Sequence, residues 1–246
     1  TQGEQEDIER IQLEAARIIS GGTQLVSLAN LYKETAFELL KNRRLKHKLI
    51  LFYKMVTSLA PMYLTNLIPS SVGRTTPYSL RNSNNIRNIH CNSQLFSNSF
   101  LPSTINAWNS LAPNIRNSPT LSSFKHALNL DNPKVPTFYY TGSREASIHH
   151  ARLRMHCSSL KEHLFSKNII ESPRCICGDI EDTKHFLLTC PLYVNQRTTL
   201  INNLVNITPI TEHVLLFGND SLDSDTNKNI FLHVHEFITH TQRFKN

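Results

Sequence analysis

The chain has 246 residues, 39% of them apolar, with a formal net charge of +7. That length and apolar content suit two compact domains rather than one, and with no run of about 18 apolar residues a membrane span is excluded. The opening TQGEQEDIER is acidic and carries no apolar stretch, which argues against a signal peptide. The five cysteines are an odd number. Together these features point away from a secreted disulfide framework and toward a reducing, intracellular compartment, nuclear or cytoplasmic. A chain that begins at Thr1 reads as cut from a longer one, with processing as the alternative.

Taken in order, the predicted elements are mostly helical. Ile8, Ile11, Ala15, Ile18 and Ile19 recur at helical spacing, and Gly21-Gly22 stops that helix. Thr23 is the expected cap of the next segment. A long helix is expected from about residue 35 to 60, with Leu39, Leu49, Phe52, Met55 and Val56 as its apolar stripe and Pro61 at its end. Residues 70–100 are rich in Asn and Ser and read as a hairpin or ordered loop. Short helices follow near 103–110 and 121–128. DNPKVPTFYYTGS, Asp131 to Ser143, is the expected linker. Helices are then expected over about 148–165, 191–205 and 226–243. The fold class is therefore mainly α.

Charge divides the chain. Residues 15–130 hold 13 Lys and Arg against Glu34 and Glu38, a balance of +11, whereas residues 147–246 hold 10 of each sign. Such a field favours a polyanionic partner, RNA or DNA, on the first part. The plainer alternative is a solvated basic surface. In KNRRLKHK, Lys41, Arg44 and Lys48 share one helical face, with Arg43 and Lys46 in the same run. Arg81 and Arg87 are weaker candidates. Trp108 offers a ring for base stacking, although a core position is the commoner fate of a lone tryptophan.

RCICGDIEDTKHFLLTCPLYVNQR crowds Cys175, Cys177, His185 and Cys190 into 16 residues. Zinc takes four such ligands at tetrahedral corners. Gly178 supplies the positive φ that a Cys-x-Cys turn often needs, and Pro191 follows the last ligand. Four protein ligands leave no open position, so the metal would be structural. Arg174, Lys184 and Arg197 stand ready to offset the net −1 of three thiolates on Zn²⁺. A buried thiol cluster or a redox pair remains the alternative. HVHEF places His233, His235 and Glu236 close in sequence. Residues two apart on a helix face away from each other, and His233, Glu236 and His240 share one face, for which a solvated polar surface is the expectation. No catalytic constellation is found: there is no Ser-His-Asp set, phosphate loop or nuclease carboxylate cluster.

The motif Cys-x-Cys-Gly-x-x-Glu-x-x-x-His-x4-Cys-Pro-x-Tyr-x3-Arg, on Cys175, Cys177, Gly178, Glu181, His185, Cys190, Pro191, Tyr193 and Arg197, resembles the cysteine-rich tail of non-LTR retrotransposon (LINE-type, jockey-like) reverse transcriptases. ARLRMHCSSLKEHLF belongs to the same likeness. IERIQLEAARIISG, RRLKHKLILFYKMVTSLAPMYLTNLIP, YSLRNSNN, SFLPSTINAWNSLAPNIRNSPTLSSFK and FITHTQRF are looser matches, and together they cover nearly the whole chain. The resemblance implies a thumb-like helical domain over 1–130 with a small loop or hairpin insertion, a linker over 131–146, and a zinc knuckle with terminal helices over 147–246.

It further implies a parent RNA-directed DNA polymerase whose palm and fingers would be the partner. Polymerase chemistry needs paired carboxylates to hold two Mg²⁺ ions. No Asp-Asp pair occurs here, so Mg²⁺ belongs with a part that this chain lacks, and the chain should not polymerise alone. In a thumb, the Lys41–Lys48 face would lie on the primer–template backbone, positioning without reading sequence. A free-standing, domesticated nucleic-acid-binding or adaptor protein on the same scaffold is the alternative, and a decayed gene copy is a third.

Overall fold

The computed structural model describes residues 2–74, 83–128 and 141–245. It is mainly helical, with antiparallel bridges only at Ser71–Ile86 and Arg174–Ile180 among the described residues. Two compact units emerge. One is split in sequence, Thr1–Phe37 with Lys134–Asn246; the other, Glu38–Pro133, is inserted within it. This differs from the expected boundaries at 130 and 147, because residues 1–37 join the C-terminal part. Of the two expected ends of the linker, Ser143 and 146, the helix start agrees with Ser143, since Arg144 already opens a helix and Ala146 is 4% exposed. Residues 131–140 lie outside the described residues.

In the split unit, α1 (Gln2–Ser20) and α2 (Leu28–Thr35) pack with α9 (Arg144–Arg154). Ala16, Val26 and Leu31 meet Ala151, Met155 and Cys157 in one buried cluster. The stripe expected to anchor α1 points elsewhere: Ile11 and Ile18 are 69% and 67% exposed, and the small Ala16 and Ser20 are buried in their place. Small residues let α1 approach its neighbours closely. Gly21, at φ +69°, ends the helix, and a Cβ there would lie 2.5 Å from Ile148. The last carbonyls of α1 are taken by α9: Arg144 donates to Ile18 O and Ile19 O, and Arg152 to Gly21 O. These guanidinium groups satisfy acceptors that a helix end leaves open. Ser27, not Thr23, caps α2, accepting from Asn30 N at 3.2 Å.

The expected helix over 148–165 is two pieces, α9 and α10 (Lys161–Phe165), because His156 turns left-handed at φ 52°. Arg154 forms a buried bidentate pair with Glu34 of α2, its Nη2 2.6 Å from Oε1. α11 (Val194–Leu204), α12 (Glu212–Phe217) and α13 (Ser224–Thr241) complete this unit around Leu153, Phe186, Leu187, Leu204, Leu215 and Val234. Asp223 caps α13, accepting from Asp225 N and Thr226 N. Two buried histidines link three of these helices. His150 Nε2 donates to Leu215 O at 3.0 Å, so its Nδ1 accepts from His235 Nε2 at 3.1 Å. His235 Nδ1 then has no partner, beside Gly142.

The inserted unit is built on α3 (Leu40–Val56). Leu49, Phe52, Tyr53 and Met55 are its buried face, while Leu39 and Val56, expected in the stripe, are 44% and 42% exposed. Short helices surround α3: α4 (Met62–Thr65), α5 (Gln94–Ser97), α6 (Phe100–Ser110), α7 (Pro113–Arg116) and α8 (Leu121–Ala127). Trp108 of α6 contacts Phe52, Tyr53 and Phe124 at ring separations of 5.3, 6.5 and 5.7 Å. Thr120 and Ser123 form a reciprocal capping box on α8. The expected hairpin over 70–100 is represented by the Ser71–Ile86 bridge, with Val72 N donating to Asn85 O at 2.8 Å. Its centre, 75–82, lies outside the described residues. None of the described helices is long and apolar enough to cross a membrane.

Candidate metal centre

Cys175, Cys177, His185 and Cys190 converge. One ligand atom from each lies within 4.8 Å of all the others, and all but the half-buried Cys177 are buried. The loop that carries the first two is closed by Cys175 N donating to Asp179 O at 2.7 Å and by the Arg174–Ile180 bridge. Gly178 sits at φ +102° with open space where a side chain would be. That is the positive φ expected of the turn.

His185 opens a π-helical turn, His185–Thr189, closed by Cys190 N donating to His185 O at 2.8 Å. The wide turn is what brings the ligand at its start and the ligand just past its end to one point. Asp182 holds its entry, accepting from His185 N at 2.6 Å. Pro191 then starts a 3₁₀ turn that leads into α11. Phe186 and Leu187 face inward and are wholly buried. The site is thus built into the core of the split unit rather than standing apart as a small knuckle.

The spacings match a tetrahedral ion. Bonds of about 2.3 Å to sulfur and about 2.0–2.1 Å to nitrogen place two sulfurs about 3.8 Å apart, and a sulfur and a nitrogen about 3.5 Å apart. Cys175 Sγ and Cys190 Sγ are 3.8 Å apart, and Cys177 Sγ and His185 Nε2 are 3.3 Å apart. A disulfide would need about 2.05 Å, and all five cysteines are free. His185 can take the tautomer that a metal ligand needs as well. His185 Nδ1 lies 3.3 Å from Thr189 Oγ1, and donation there leaves the Nε2 lone pair facing Cys177.

Burial, with the Cys175 and Cys177 sulfurs close by, pushes the Cys190 thiol up to about 12. Of the three basic residues expected to balance thiolate charge, Arg197 is buried, and it donates to Leu187 O at 3.0 Å and Phe186 O at 3.4 Å. It therefore supports the π turn as well as the charge. Arg174 donates to Gly178 O at 2.8 Å, and Lys184 is exposed. The four residues form a closed set that can bind a metal ion.

His156, Glu162 and His163 form a second cluster of ligand-type atoms. There the tautomer is wrong. Ser158 N donates to His163 Nδ1 at 3.3 Å, so the proton sits on Nε2, which faces Thr183 Oγ1 at 3.2 Å. Burial, with His156 adjacent, holds His163 down to about 4. Both ring nitrogens are engaged within the protein, and His163 is a satisfied core histidine. In HVHEF, His235 is buried, while His233 Nδ1 lies 3.0 Å from Glu236 and 3.2 Å from Asn203.

The basic candidates gather mainly on α3. Arg43, Arg44 and Lys48 line one groove together with His47, above Leu40 and Phe100. Lys48 Nζ is 3.3 Å from Ser103 Oγ, and Lys46 pairs with Glu38 at 2.7 Å. Lys41 is exposed on the same helix, and Arg87 is exposed beyond the Ser71–Ile86 bridge. Arg81 lies outside the described residues. Trp108 is 4% exposed, and its ring is committed to the aromatic core. No protein-family model matches the chain, and neither a curated protein nor a solved structure does.

Proposed function

We propose that this chain is a non-catalytic nucleic-acid-binding module. In this reading the inserted unit lies on RNA or DNA phosphates through α3, and one structural zinc on Cys175, Cys177, His185 and Cys190 holds the split unit. The observation that carries it is the segregation of charge. The inserted unit holds 11 Lys and Arg against two acidic residues, and the split unit 15 against 17. A balance of +9 on one compact unit beside −2 on the other concentrates counterion release on a single surface. Zinc fits a closed set of three thiolates and one imidazole better than the harder divalent ions do. The sequence likeness to the thumb and tail of a non-LTR reverse transcriptase agrees with this. Under it, polymerase chemistry and its Mg²⁺ reside in a palm and fingers outside this chain.

The test is anisotropy of labelled single-stranded and duplex RNA against salt. If about four to six phosphates are contacted, the log–log slope is about −3 to −5, at roughly −0.7 to −0.9 per phosphate. Replacing Arg43, Arg44 and Lys48 with Ala flattens it by up to about three contacts. Lys46→Ala does less, since Lys46 already pairs with Glu38. A slope near zero would overturn the reading. Elemental analysis should find about one zinc per chain, and less than about 0.3 would remove the zinc assignment.

A further inference from the structure

Glu181 lies between the two ligand limbs and is 3% exposed. Its carboxylate accepts from Arg243 Nε at 2.7 Å and Nη2 at 2.8 Å, one bond to each oxygen, and from Lys161 N at 2.9 Å. Its backbone is fixed as well: N donates to Pro173 O at 2.9 Å, and O accepts from Glu162 N at 3.2 Å. Burial alone would push this carboxyl up; the Arg243 and Lys161 donors outweigh it and hold the group below the ordinary carboxylate range. Arg243 Nη2 also donates to Ser159 O at 3.0 Å.

The next residue, Phe244, reaches the other limb. Its ring meets Phe186, adjacent to His185, at 5.2 Å, and His149 at 5.1 Å. So two neighbouring residues just past α13 hold both halves of the ligand set. Arg243 fastens the loop that follows Cys175 and Cys177, and Phe244 packs on the turn that carries His185. Bidentate Arg–carboxylate geometry fixes orientation as well as charge, which is what a metal site needs from the residues behind its ligands.

We infer that Arg243 and Glu181, with Phe244, form a latch from the C-terminal segment that positions the metal ligands. Arg243 and Glu181 are positioning residues and not ligands. The inference rests on the reading of Cys175, Cys177, His185 and Cys190 as a metal site.

The test is cobalt(II) titration of the full chain, with affinity taken from competition against a chelator. Arg243→Ala and Glu181→Gln should each weaken cobalt about 10–100-fold. The double variant should fall no further than the weaker single by more than about threefold, because the two act as a pair. Arg243→Lys, which keeps the charge but loses the fork, should resemble Arg243→Ala. At saturation the thiolate–cobalt absorption should match the parent, since the ligands are intact. Glu34→Gln, which breaks a buried pair in the same unit, is the control for general destabilisation and should keep the parent affinity.

Parent affinity in Arg243→Ala and Glu181→Gln would overturn the latch. So would parent affinity in Arg243→Lys, or an equal loss in Glu34→Gln. If Arg243→Ala does not fold, Glu181→Gln and Arg243→Lys decide alone. A parent chain that takes no cobalt would fail at the metal site itself, and the latch would fall with it.

Discussion

The two units solve the problem of staying folded in opposite ways. Among the described residues, the inserted unit buries one polar side chain, Thr104, beneath an aromatic core of Phe52, Tyr53, Trp108 and Phe124. The split unit buries Glu34, Arg154, Glu181, Arg197, His150, His163, His185 and His235 along with its leucines and phenylalanines. Their compositions run the other way, strongly basic for the inserted unit and nearly balanced for the split one. Apolar burial is indifferent to protons and metals, so the first design frees the surface to carry like charge. Buried polar networks hold only while every partner is present, so the second is conditional on its chemistry.

The sharpest way to break this contrast is to remove the proposed zinc. Structural zinc supplies roughly 10–16 kcal/mol of apparent free energy in small peptides. Chelation, or Cys190→Ser, should therefore abolish the cooperative unfolding transition of the split unit and leave that of the inserted unit in place. Calorimetry with hydrogen-exchange mass spectrometry reads both, and a common shift of the two transitions would dissolve the contrast. From the other side, Trp108→Ala should cost the inserted unit about 3–5 kcal/mol, with metal content unchanged.

Acid gives a smaller effect. Burial, and then the nearby Arg154 cation, hold His235 down to about 4, against about 6.5 when unfolded. A depressed histidine means that the unfolded chain binds the proton more readily. The contribution is complete above pH 6.5 and is lost as pH falls toward 4, about 3 kcal/mol in all at roughly 1.36 per unit. The urea midpoint of the split unit should fall over that window in the parent and fall less in His235→Gln. Acid would also release the proposed zinc, but from both proteins, so their difference reports on the histidine. The smallest effect is local: Thr120→Ala, which removes the cap of α8, should lower the inserted unit by about 1 kcal/mol in denaturant titration.

The Cys/His cluster was legible because all four residues fall within 16 positions, and local spacing decides whether such a loop can close. The long periodic helices α3, α11 and α13 were legible for the same kind of reason. The division into units was not. It depends on Ala16, Val26 and Leu31 finding Ala151 and Met155, and on Glu34 finding Arg154, contacts that no window of sequence contains. The outward turn of Ile11 and Ile18 escaped because periodicity marks a face without saying what covers it. The break after α9 rests on one left-handed residue, His156, and histidine takes that conformation too seldom to mark a break by itself. The π turn at His185 and the tautomers of His163 and His185 depend on partners such as Ser158 N, which donates to His163, and Thr189 Oγ1, which is placed to accept from His185, and proton placement has no signature in one-letter code.

The split arrangement also sets a timetable for synthesis. Glu34 and Arg154 are 120 positions apart. At about 5–20 residues per second on the ribosome, roughly 6–24 s separate their emergence. Throughout that interval Val26 and Leu31 have Ala16 but lack Ala151 and Met155, and the whole of Glu38–Pro133 is made before those partners emerge. The inserted unit can fold first, as a low-contact-order helical piece, and the nascent amino-terminal helices must wait for α9. Pulse-labelling of ribosome-bound chains should accordingly find Leu49 and Phe52 protected before Leu31.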